Sequence, residues 1–286
     1  MNRSASAFCP GHISGYFRRV VGPDPLTTGS VGAGIVISEG VHATVTPADR
    51  TAITVLRSDA TGKLARAAQD SAPLRTALAT IGVTADVTTR CRLPIGAGFG
   101  LSAAALLATL TALDRMYDLS LGERRIAHIA HETEVLHQTG LGDVVSCRGG
   151  GMVVRTTAGI DAPVIRFSGY TGPVFAISFG PIHTPTVLVS DKQMAQVAAA
   201  FPSGEPASLP DFFTRARSFA EKSGLITQEV RSVLSACDDA GVPASMTMLG
   251  NGVFACGEDA GAVLSRSGEL YRMKVATSGP AVVEEP

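Results

Sequence analysis

No block of like charge interrupts this chain, no two cysteines stand at metal-site spacing, and no apolar stretch is long enough to cross a bilayer. Each absence removes a class of function. With 24 basic and 25 acidic residues dispersed along 286 positions, a broad nucleic-acid or membrane-surface footprint is not expected. Small anionic substrates stay open, because a few local donors are enough to bind them. The five cysteines (Cys9, Cys91, Cys147, Cys237 and Cys256) are scattered, odd in number and without a C-x-x-C pair. That pattern favours reduced thiols over a disulfide frame or a zinc site. The opening MNRSASAFCPGH lacks the apolar core of a secretory signal, and the longest apolar stretch, Leu101 to Leu113, stops at Asp114. A soluble cytoplasmic protein is expected. No internal repeat appears, and there is no G-x-S-x-G elbow to support serine hydrolysis. His128, His131 and His137 lack the partners of a catalytic zinc site.

What remains is a chain with 45% hydrophobic and 17% charged residues, the balance of a folded globular protein. Its length suits one large domain or two smaller ones. Alternating patterns predict strands over 5–21 and 34–58, with 21–34 (VGPDPLTTGSVGAG) as a loop rich in Gly, Pro and Thr. A helical stretch follows over 63–82, then a strand ending at Pro94. Helices are predicted from about 101 to 117, over 121–137, 190–202 and 211–239, and a strand–turn–strand over 244–257. The pattern changes near 150–165, which sets the expected domain boundary.

PIGAGFGLSAAALLATL, from Pro94 to Leu110, carries three alternating glycines into a small-residue helix. A helix start exposes unpaired N–H groups and partial positive charge, and upstream glycines let an anion approach the backbone. The lysine of the common P-loop pattern is missing. Ser102 is placed either to cap the helix or to offer its hydroxyl to Mg²⁺. By itself the segment reads more readily as a tight turn whose small residues allow close packing. Downstream, HETEVLHQTGLGDVVSCRGGG supplies Glu132, Glu134 and Asp143. One acid on a helix and one on a glycine loop suit phosphoryl transfer, the first holding Mg²⁺ and the second orienting or deprotonating a hydroxyl. Each acid alone also fits a solvated helix face or a turn. His12, in the turn CPGHISG, is open to contact with an anionic substrate or to a loop hydrogen bond.

Taken together, these segments resemble the GHMP kinase superfamily. AFCPGHISG is similar to its N-terminal Pro-Gly segment, PIGAGFGLSAAA to its phosphate loop, TGLGDVVSCRGG to its catalytic-aspartate loop, and SMTMLGNGVFAC to its C-terminal glycine motif. The resemblance implies an α+β, two-domain fold. Residues 1–155 would form an ATP-binding half like ribosomal protein S5 domain 2, with an unusual left-handed βαβ unit. Residues 156–286 would form a ferredoxin-like half. It also implies ATP and Mg²⁺ as cofactors and Asp143 as catalytic residue. The nucleotide would meet Pro94, Gly96, Ala97, Gly98, Phe99, Gly100, Leu101, Ser102 and Ala103. Ser102 and Glu134 would hold the metal, with Glu132 one register shift away.

Two departures stand out. Leu101 replaces the first serine of the family loop, removing one nucleotide contact, and His12 stands where several members carry lysine. CPGHISGYF, DPLTTGSVGAG, TGLGDVVS and MLGNGVF are further similar to the archaeal pantoate kinase family, over nearly the whole chain. That resemblance implies ATP-dependent phosphorylation of (R)-pantoate in coenzyme A biosynthesis. His12, Ser14, Thr28, Ser30, Gly250 and Asn251 are the expected substrate contacts, and a homodimer is compatible. Two rivals remain: another metabolite kinase of the superfamily, for homoserine or shikimate, and an inactive sensor on the same fold.

Overall fold

The computed structural model describes residues 4–181 and 191–284. Strands β1 (Ala5–Val20) and β2 (Gly29–Pro47) form a long antiparallel hairpin, in register from Ala5 opposite Val45 to Val20 opposite Gly29. The register shifts at Pro10/Gly11 and between Ser14 and Tyr16. Proline cannot donate to a ladder, so the first shift falls where pairing is weakest. Between the shifts, His12 and Ser14 lie on one face of β1 and Ile13 on the other.

The first sheet runs β12 (Ala281–Val283), β1, β2, β5 (Ala85–Cys91), β3 (Ala52–Ser58), β4 (Leu64–Ala68), while β6 (Met152–Arg155) pairs with β2 and with β7 (Val164–Phe167). β3 and β5 are parallel, joined by a crossover through β4 and helix α1 (Ala72–Thr80). Helices α2 (Leu101–Tyr117), α3 (Gly122–His137) and α4 (Asp143–Cys147) complete this half. α2 buries alanines and leucines nearly all round, as a central helix does.

The second sheet is antiparallel, ordered β11 (Tyr271–Lys274), β8 (Pro173–Pro181), β10 (Gly250–Cys256), β9 (Ala244–Met246). Helices α5 (Asp191–Ala200), α6 (Leu209–Ser223) and α7 (Gln228–Asp239) separate β8 from β9, and α8 (Ala260–Leu264) separates β10 from β11. Numbered along the chain this is order 4-1-3-2, the split βαβ of a ferredoxin-like unit. Tyr16 of β1 meets Phe212 and Phe219 of α6 with ring centroids 6.2 and 6.3 Å apart, joining the halves. Gly15 makes that approach feasible, since a Cβ there would stand 2.6 Å from Phe212. Such fully buried side chains each contribute roughly 1.5–3 kcal/mol.

Four sequence expectations are corrected. Residues 29–34 belong to β2, because Gly32 and Gly34 admit the β1 backbone at close range. Leu64–Ala68 is a strand, since an Asp59–Lys63 turn folds it back on β3. Asp59 Oδ1 there accepts from the N–H groups of Thr61 (2.9 Å) and Lys63 (3.0 Å). Pairing thereby overrides the helical propensity of its alanines. The helix over 211–239 divides at Gly224, whose φ of 71° ends α6, and restarts at Thr227, which caps α7 through Val230 N–H. Finally, β6 pairs with β7 across 155/156, so the change of sheet falls between Phe167 and Pro173, and β12 returns to the first sheet. The helix expected over 190–202 is observed from Asp191; residue 190 lies outside the described residues. All five cysteines are free and buried, and among the described residues no helix is long and apolar enough to cross a membrane.

Candidate active site

Three glycines shape the start of α2. Gly96, Gly98 and Gly100 all have left-handed backbones, with φ of 77°, 82° and 63°. Only glycine adopts this without penalty, and a Cβ on Gly98 would stand 2.7 Å from the Met248 oxygen. Gly100 caps α2 without any side-chain bond to its first amides, and the first intrahelical bond starts at Ala104 N–H. The helix therefore starts at the cavity wall with unpaired amides and the positive end of its dipole.

That cavity has a volume of about 700 Å³ and lies between the two halves. Toward β3, β4 and β5 it is walled by Val41, Val55, Ala68 and Leu74, with Arg90 and Asp70 among them. Gly96, Gly98, Phe99, Gly100, Leu101 and Ser102 line its middle, and Ser14, Ser30, Asp143 and Arg155 its other end. Pro94, Ala97 and Ala103 stand behind this lining, Ala97 and Ala103 fully buried.

Glu134, near the end of α3, is 1% exposed. Thr139 Oγ1 donates to its Oε1 at 3.2 Å, and Ser102 bonds its carboxylate as well. Gly140 leaves room for that carboxylate, whose position a Cβ would invade. Burial, reinforced by the negative charge of Asp143, pushes the Glu134 carboxyl up to about 8 despite the two hydroxyl donors. Glu132 is half-buried and carries no such bonds to the loop serine.

Asp143 opens α4 behind Gly142. Its Oδ1 lies 2.7 Å from His12 Nδ1. Burial opposes ionisation of Asp143, yet the His12 hydrogen bond and the charge of Arg155 hold its carboxyl below the usual range.

Arg155, at the end of β6 opposite Gly32, is 3% exposed and faces the cavity. Its guanidinium donates to Ser146 Oγ, to Ser30 O at 3.4 Å and to Ser30 Oγ at 3.5 Å. Among the described residues no carboxylate lies within ion-pairing distance of it. Burial lowers its pKa, but an arginine keeps its charge. Sequence reasoning missed this residue. Its signal was slight: one arginine closing the apolar run after Gly149-Gly150-Gly151, inward-facing only once β6 has paired with β2.

Of the expected substrate contacts, Ser14 and Ser30 line the cavity. Thr28 does not: its hydroxyl accepts from Gly22 N–H at 3.0 Å, and its carbonyl lies 2.8 Å from Nε2 of buried His131. His12 is fully buried behind Asp143. Gly250 lies against the phosphate-loop backbone, where a Cβ would stand 2.7 Å from Gly98 N. Asn251 accepts from Thr227 Oγ1 at 2.8 Å and is absent from the lining, because the β10 backbone turns it toward α7.

An apolar base-sized wall, a glycine-rich helix start, a buried glutamate and an aspartate facing the cavity, all beside a ferredoxin-like sheet, define a small-molecule kinase of the GHMP class. Residues 62–151 match the GHMP kinases N terminal domain. The chain is 47% identical to the pantoate kinase of Methanospirillum hungatei JF-1, over 97% of this chain and 96% of that one. Identity is 32% to the pantoate kinase of Thermococcus kodakarensis, over 88% and 87%. A solved phosphotransferase related to the CoA biosynthesis pathway superposes with a TM-score of 0.78 at 27% identity, covering 98% of both chains. The chain belongs to the pantoate kinase family, and as a kinase it uses ATP.

Proposed function

We propose that the chain transfers the terminal phosphoryl group of ATP to the 4-hydroxyl of (R)-pantoate, giving (R)-4-phosphopantoate and ADP, on the archaeal route to coenzyme A. The base and ribose take the apolar end of the cavity, and the phosphates take the α2 start from Gly96 to Ala103. Backbone amides at a helix start neutralise phosphate without a lysine, which accounts for the departure from the P-loop pattern.

The observation that carries the substrate reading is Arg155. A buried guanidinium bonded only to serine and backbone oxygens, facing a cavity, is matched to a carboxylate arriving from outside. Ser14 and Ser30 supply further donors at that end. Asp143 takes the proton of the attacking hydroxyl, which needs only a group within hydrogen-bond reach. Ser102 and Glu134 fit a divalent cation, since a carboxylate as buried as Glu134, in the field of the Asp143 charge, holds its own charge poorly without one. Ser102 and Glu134 would hold Mg²⁺, which would supply positive charge to offset that of the phosphates.

Every group in this reading comes from one chain, so a homodimer is not required by it. Both substrates are small, water-soluble anions, and a cytoplasmic location goes with that. A coupled ADP-release assay with pantoate, homoserine and shikimate as acceptors is the test. Turnover strongly favouring pantoate is expected; preference for either rival acceptor overturns the substrate, and no turnover with any of them points to a sensor. Asp143→Ala is expected to abolish most turnover while nucleotide binding persists.

A further inference from the structure

His12 occupies an unusual place. Its ring is 0% exposed, and its main-chain N–H donates to Phe99 O, on the phosphate loop, at 3.0 Å. Gly100, which caps α2, lies against its backbone, where a Cβ would stand 3.1 Å from both His12 N and O. On the other side, Nδ1 reaches Asp143 Oδ1 at 2.7 Å. One residue thus bridges the loop that holds phosphate and the carboxylate that takes the proton.

The second ring nitrogen decides the tautomer. His12 Nε2 is buried without a hydrogen-bond partner, pressed against Gly34, whose Cα leaves no room for a side chain. A proton there would bury an unsatisfied N–H and turn a bare Nδ1 lone pair toward the Asp143 carboxylate. Protonation at both nitrogens would add a buried charge in the field of Arg155 and Arg166. Nδ1–H with a bare Nε2 avoids all three costs. Burial also lowers the basicity of this imidazole, in keeping with the neutral form.

Asp143 has no other lock. It begins a five-residue helix capped by a glycine, and the side-chain hydrogen bond that holds its carboxylate among the described residues is the one to His12. Oδ1 is thereby committed, and Oδ2 is left for the cavity that Asp143 lines.

We infer that His12 is a positioning residue: as a neutral Nδ1–H donor it fixes Oδ1 of Asp143, aims Oδ2 at the acceptor hydroxyl, and sets the spacing between that oxygen and the phosphate loop. This rests on the reading of Asp143 as proton acceptor. It differs from a role for His12 in gripping substrate, which its burial behind the carboxylate opposes.

The test compares His12→Asn, His12→Gln and His12→Phe in the full chain. The asparagine amide nitrogen falls near the Nδ1 position and can donate to Oδ1; the glutamine amide reaches toward Gly34 instead. His12→Phe fills the space without a donor. Phe and Gln variants are expected to lose on the order of 10²-fold in kcat, the scale of a mispositioned base, with KM for pantoate and for ATP within about threefold of wild type. His12→Asn is expected to recover most of that loss. A rise in the pantoate KM at unchanged kcat, or glutamine rescuing as well as asparagine, overturns the proposal. Should the Phe variant fail to fold, ¹⁵N spectra of the wild-type imidazole decide. A proton on Nδ1 and a bare Nε2 are expected; a proton on Nε2 overturns the assignment. Full turnover by Asp143→Ala would instead remove the base reading, leaving the tautomer measurement unaffected.

Discussion

Arg155 is held by Ser30 twice over, Nε to the backbone oxygen at 3.4 Å and Nη2 to the hydroxyl at 3.5 Å, with no carboxylate within ion-pairing distance among the described residues. Both bonds are long, so the guanidinium keeps donors for a better partner. The arrangement suits a ligand whose carboxylate completes it.

Replacing Arg155 by alanine is expected to raise the pantoate KM by about 30-fold or more, the scale of a truncated buried charge pair of roughly 2–5 kcal/mol. KM for ATP should change little. Lysine should restore the charge but not the fork, leaving a partial defect. Steady-state kinetics with each substrate varied in turn check this.

Gly98→Ala is expected to strike the nucleotide instead. The residue has φ of 82°, and its new Cβ would stand 2.7 Å from Met248 O, so the loop must shift. A left-handed alanine costs about 1–2 kcal/mol. A rise in the ATP KM with a lowered Tm is expected, against a smaller fall in Tm and an unchanged ATP KM for Gly62→Ala, which carries the backbone strain without the clash. Gly62 has a similar φ of 83° but open space around its Cβ.

Glu134 makes a pH-dependent prediction. Its carboxyl is raised from 4.5 to about 8, so between those values the folded chain holds a proton that the unfolded chain releases. Its contribution to stability is therefore greatest below about 4.5 and declines as pH rises toward 8. Glu134→Gln removes that decline. The difference in Tm, Gln variant minus wild type without metal, is expected to grow from pH 5 to pH 8. Addition of Mg²⁺ and nucleotide should stabilise the wild type more at pH 8 than at pH 6. A flat difference across this range would count against a strained carboxylate.

The pinned loop can be tested through His131→Phe. His131 Nε2 lies 2.8 Å from Thr28 O, tying α3 to the segment before Ser30. Losing a buried hydrogen bond costs about 1–3 kcal/mol where the partner is left bare. A lower Tm and faster proteolytic cleavage near residues 22–28 are expected, and unchanged cleavage would show that the loop holds itself.

Much of the site was legible because phosphate chemistry leaves a local imprint. The alternating glycines 96, 98 and 100, Ser102 one residue into the helix, and Asp143 beside Gly142 each act through neighbours close in sequence. Their joint spacing therefore carried the kinase reading. The long apolar α2 and the strand–turn–strand near 250 were visible for the same reason, as periodicity is a local property. The β4 strand was not, because an alanine-rich segment follows its pairing partner rather than its own propensity.

The chain order alone therefore determined the class of chemistry, and it singled out the glycine-rich helix start and the two acids as candidates for the site. Tertiary structure decided what the single polar residues do. Arg155 faces the cavity only because β6 pairs with β2 at Gly32, and His12 meets Asp143 across 131 residues only because α4 returns to β1. Burial and the identity of a hydrogen-bond partner are set by elements distant in sequence, and no local pattern encodes them.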